Sequence, residues 1–222
     1  MEIGTMLEDS LSYAKDAVWE KWVRWILLII CSIIFPLIIG YSMEIYRGKK
    51  PAPELENWGK LFIDGLKLFV AAIIYMIPVI IVVLVFGGFA LISALATAPS
   101  PNYIVMHPEQ FIPQFGIFLA GLFVALILAI IIGLIATIGF VRMARTESFM
   151  EAFNFSAILA QIGKIGWVNY IIALIVVGVV SFIFIAIINI IPIIGWLLSL
   201  ILQAPLTVFN ARYVTLIYDS AG

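Results

Sequence analysis

The side chains that could do chemistry in this chain are few and scattered. His107, the only histidine, sits two residues before Glu109 in a proline-rich stretch. A zinc site needs three or four ligands, so this pair reads as surface and as no metal centre. Cys31, the only cysteine, lies in an apolar run, which rules out an internal disulfide and favours an inert thiol. No glycine-rich phosphate loop and no G-x-S-x-G elbow occurs. The expectation is a chain that is not an enzyme, with no catalytic, cofactor or metal site.

Three groups of residues could still bind or pack. Lys49 and Lys50 are adjacent cations suited to anionic lipid headgroups. Gln203 and Asn210 are seven apart, hence on one helical face, and flank Pro205, whose missing N–H frees a backbone carbonyl. They form a candidate intramembrane polar site, although such amides more often hydrogen-bond between helices. Gly121, Ala125, Ala129, Gly133 and Thr137 repeat every four residues, a small-residue stripe that lets two helix backbones approach. Asp64 belongs to a further set, Glu56, Lys60, Asp64 and Lys67, whose alternating signs at helical spacing read as an ion-paired face toward water.

The elements that must position these groups follow from composition. Of 222 residues, 64% are apolar and 11% charged, less than half the charged share of a soluble domain. Hydrocarbon is the solvent that fits, and there backbone groups must pair internally, which leaves helices or closed barrels. Long apolar runs without alternation select helices. The fold class expected is all-α, a polytopic transmembrane helix bundle of about five membrane segments plus amphipathic interfacial helices. A net charge of −1 gives no sign of nucleic acid.

Residues 1–24 form an amphipathic N-terminal helix, with Leu7, Leu11, Ala14, Val18, Trp22 and Trp25 on one face; it lies in the interface or on the protein's own helices. Residues 25–222 make one transmembrane domain with segments near 25–46, 68–91, 116–141, 167–188 and 196–218. Loops 47–67 and 142–166 carry basic residues and are expected in the cytoplasm; loop 97–115, without Lys or Arg, is expected outside. The first segment is awkward. Lys15, Lys21 and Arg24 precede it and Arg47, Lys49 and Lys50 follow it, so a plain crossing separates two basic groups, whereas re-entry at Pro36 keeps them together. The plain crossing is the preferred expectation. Ser148 and Glu151 have the spacing of a capping box, and an uncharged turn at 189–195 joins the last two segments. The tryptophans fall at predicted helix ends or on interfacial stretches, where such rings prefer to sit.

The run from Pro53 to Lys67, PELENWGKLFIDGLK, with Gly40-Tyr41, Arg47-Gly48 and Tyr75-x-x-Pro78 around it, resembles a family of largely archaeal integral membrane proteins, domain of unknown function 4013. Glu151-Ala152-Phe153-Asn154-Phe155 fits the same family's second cytoplasmic segment. The resemblance implies a multi-helix membrane protein and transfers no activity. Gly40-Tyr41…Arg47 is echoed by Gly139-Phe140…Arg142, each followed by an amphipathic stretch and a span, as in repeats of membrane proteins.

The function expected is that of a non-catalytic accessory or scaffold subunit, multi-pass in the plasma membrane with a cytoplasmic C-terminus. Its partners are the bilayer and other membrane subunits or a second copy. One alternative is a permease for a neutral or amphipathic solute, with Pro36, Pro78 and Pro205 breaking helices; another is a lipid-binding module.

Overall fold

Pro36 lacks an N–H and its ring clashes with the carbonyl four residues earlier. The computed structural model, which describes residues 2–98, 100–190 and 194–222, accordingly breaks the first apolar run there. Helix α2, Trp22–Ile33, stops at Ile34 (φ −92°, ψ 81°), and α3, Phe35–Tyr46, begins again. Before them lies α1, Ile3–Val18. After them come α4, Trp58–Thr97; α5, Pro101–Met106; α6, Ile112–Thr146; α7, Phe155–Ile165; α8, Trp167–Asn189; and α9, Ile194–Asp219. No strand occurs among the described residues, and the fold is all-α. Four helices, α4, α6, α8 and α9, are long and apolar enough to cross a membrane. Pro99 and residues 191–193 of the turn at 189–195 lie outside the described residues.

The structure divides residues 25–46 between two helices. A straight helix would set Arg24 about 33 Å from Tyr46, a full hydrocarbon thickness. Instead Arg24 is ion-paired with Glu54, only seven residues beyond Arg47, and the same polar loop pairs Lys50 with Asp9 and accepts a bond from Tyr13 on the Lys49 carbonyl. Both ends of the bent segment are thus tied to the same stretch, residues 49–54. The loop could not pass through hydrocarbon without stranding its backbone groups.

The chain falls into two compact units. Residues 1–71 and 135–222 form the first, and residues 72–134 the second. In the first, α9 is the axis: α1, α2, α3 and α8 pack along it, and Ala204, Val208, Tyr213 and Ile217 are fully buried on its faces. Met43, Leu68, Ala71, Met143, Ala144 and Ala152 form a core where α3, the start of α4 and the end of α6 meet. In the second unit α4 and α6 lie against each other at Gly121, where a Cβ would run into Phe86. Outward, this unit presents Leu84, Phe89, Leu122, Phe123 and Ile130, a surface suited to hydrocarbon.

Local expectations are corrected at three places. The helix over 1–24 is interrupted at Trp19–Lys21, where Glu20 takes φ 59°, and of the expected apolar face Ala14 and Val18 are buried while Leu11 and Trp22 are exposed. Ser148 makes no side-chain cap; Glu151 turns to Arg142 and Asn154, and Asn154 caps α7 by accepting from the Ala157 N–H. Asp64, expected on a solvated face, is buried.

Candidate functional site

Asp64 is buried because Arg47 lies over it. The sequence places Glu44 three residues before Arg47 on α3, and Lys60, Asp64 and Lys67 on successive turns at the start of α4, so both helices present charge where they cross. Gly40 and Gly65 make that crossing close. A Cβ on Gly40 would strike the Leu61 carbonyl, and one on Gly65 the Pro36 carbonyl. The Arg47 guanidinium donates to Glu44 at 2.5 Å through Nη1 and to Asp64 at 2.6 Å through Nη2, while its Nε lies 3.3 Å from Glu147 at the end of α6. Glu44 also holds Lys49 at 2.5 Å and Lys60 at 3.6 Å, and Lys67 lies 3.7 Å from Asp64.

Arg47, Glu44 and Asp64 have nearly enclosed side chains, whereas the lysines and Glu147 are half or more exposed. Such a buried arginine with two carboxylates is costly to desolvate and costly to break, because removing one member strands the others. Burial pushes the Glu44 carboxyl up, but Lys49, Arg47 and Lys60 together outweigh it and hold it below the usual range. Beside the cluster is an open recess of about 410 Å³, apolar at Met43, Met143 and Phe149 and charged at Lys60, Lys67 and Glu147.

A second pair ties the first helix to the last. Arg212, buried on α9, donates to Asp9 at 2.7 Å and stacks 5.1 Å above the Tyr13 ring. The Arg212 hydrogen bond, with help from Lys50, holds the Asp9 carboxyl below its usual value against the effect of burial. Arg145 grips Asp219 with two bonds, its guanidinium against Gly48, which takes the positive φ (85°) that glycine favours.

The groups singled out in the sequence are dispersed by the fold. Lys49 and Lys50 point into ion pairs with Glu44 and Asp9. Gln203 is exposed, whereas Asn210 accepts a bond from Ser181 of α8 at 2.8 Å. The carbonyl freed by Pro205 is that of Ile201, and Trp25 Nε1 donates to it at 3.2 Å. In the small-residue stripe Gly121 and Ala125 are buried, Ala129 is half-buried, and Gly133 has open space where a Cβ would go; Thr137 belongs to the first unit and bonds Tyr170. His107 Nδ1 lies 3.5 Å from Glu109 with both side chains exposed, and no group of three metal ligands forms among the described residues. Cys31 is buried.

Sequence reasoning missed Glu44. A carboxylate ending an apolar run, three residues before an arginine, was the available signal. The Asp9–Arg212 pair, spanning the chain, left none. Arg47 pairs with Asp64 and Arg142 with Glu151, each arginine holding a carboxylate in the amphipathic stretch that follows it.

A family profile described as a protein of unknown function (DUF4013) matches residues 25–207. No curated protein and no solved structure matches the chain.

Proposed function

The chain belongs to the DUF4013 family of proteins of unknown function, and on that premise we propose that this membrane protein is an accessory or scaffold subunit that works by binding a partner at its charged face. One observation carries the reading: the acid and base side chains of the Arg47 cluster are engaged with one another and brace α3, α4 and α6. Groups held that way are poorly placed to exchange protons with a substrate, because each change of protonation strands a buried partner. They are well placed to keep a surface rigid. The rim of the recess, Lys60, Lys67 and Glu147, remains half or more exposed above apolar Met43, Met143 and Phe149, a mixture suited to an amphipathic segment of another subunit.

The test is purification from native membranes in mild detergent, with wild type and with Lys60→Glu/Lys67→Glu, beside solute uptake by vesicles reconstituted with the wild type. A stoichiometric partner that is lost in the double variant, with no uptake, is the expected result. Uptake of any solute by the reconstituted protein would replace this reading with a permease, and a partner retained by the variant would remove the face from the account.

A further inference from the structure

Along the seam between α1 and the α8–α9 pair runs a crevice of about 290 Å³, lined by Ala14, Val18, Trp25, Phe184, Pro205 and Leu206 among others. Its lining is almost wholly apolar, and one cation stands at its edge. That cation is Lys15, exposed, with its Nζ 5.9 Å above the Trp19 ring and no carboxylate partner among the described residues. The contrast with Lys49 and Lys50 is sharp, since both of those are held by acids. Two features keep the crevice formed. Trp25 bonds the Ile201 carbonyl released by Pro205, and its ring stacks on Trp22 at 5.6 Å. The interruption after Val18 separates α1 from α2, with Val18 at the crevice wall.

We propose that this crevice binds one acyl chain of an anionic phospholipid, with Lys15 holding the headgroup phosphate. The hydrocarbon around a membrane protein fills apolar grooves open to it, because an empty one loses its dispersion contacts. A lone lysine at the groove's edge adds a preference for an anionic headgroup. The cavity is sized for part of one chain rather than for a whole lipid. The amphipathic tryptophans beside it are of the kind that settle at the headgroup level.

Native mass spectrometry of the purified protein, titrated with phosphatidylglycerol, phosphatidylcholine of the same chains, or palmitate, tests this. Wild type should take one phosphatidylglycerol per chain with about fivefold preference over phosphatidylcholine, the effect of one lysine near an anionic headgroup. Lys15→Gln, a surface change, should bring the two lipids to parity while binding persists. Leu11→Trp, at the exposed mouth, should remove bound lipid of both kinds, its fold checked by thermal melting. An unchanged preference in Lys15→Gln would overturn the proposal, as would undiminished lipid binding by a folded Leu11→Trp. Palmitate binding as tightly as phosphatidylglycerol would overturn it too, since the occupant would then be a free fatty acid.

Discussion

Glu44 shows how much one side chain carries here. It is enclosed, it sits among Arg47, Lys49 and Lys60, and it stays ionised below its usual 4.5 because those cations outweigh the cost of burial. Asp9 is held below its usual 3.8 chiefly by Arg212. A carboxylate with a depressed folded pKa contributes stability that is fully present above its unfolded value and is lost as pH falls through the folded one. The melting temperature in detergent should therefore hold steady from neutral pH to the ordinary carboxylate range and fall below about pH 4. Glu44→Gln should cost about 1.5–3 kcal/mol at pH 7, the worth of charged hydrogen bonds, and should lose less on acidification than wild type. A variant with wild-type melting at both pH values would mean that Glu44 takes no part in the brace.

At the scale of elements, the crossing of α3 over α4 sets the position of every group in the cluster. Gly40 and Gly65 allow backbone to meet backbone there, so Gly40→Ala or Gly65→Ala must push the helices apart. Overpacking of this kind costs about 1–3 kcal/mol, and the separation should also loosen the Arg47–Asp64 contact. Gly59→Ala, on the same stretch with open space around it, is the matched control. Thermal melts should show the first two well below wild type and the control near it; equal melting of all three would contradict the close crossing. Both glycines were visible in the family-like motif, but a motif records which residues occur and not what they touch. Helix content and the four long apolar helices were legible from hydropathy, because in hydrocarbon the backbone has no other way to pair. The break at Ile34 was legible only as a possibility at Pro36, since proline can either kink a crossing or end it, and what decides is the loop that Arg24 reaches.

Across the whole molecule, apolar side chains face outward in both compact units, whereas the arginine ion pairs lie in one. Every arginine for which the structure gives an ion pair lies in one unit, residues 1–71 with 135–222, and there the pairs join the first helix to the last and the loop after α3 to the end of α6. Residues 72–134 carry apolar side chains outward, and so do Val23, Val168 and Phe182 of the first unit. If the four long apolar helices are the crossings and α2 and α3 are not, an even number would return the C-terminus to the side of the N-terminus. The two basic groups flanking residues 25–46 would then share that side, and the conflict between them would disappear. The direct test is side-selective labelling of single cysteines in a Cys31→Ser background, at Glu8→Cys, Ser148→Cys and Asn102→Cys, in sealed membrane vesicles. Glu8→Cys and Ser148→Cys should react from the same face and Asn102→Cys from the opposite one. Labelling of Glu8→Cys from the face that labels Asn102→Cys would mean that residues 25–46 cross after all, and would contradict the Arg24–Glu54 and Lys50–Asp9 pairs that draw both ends of that segment together.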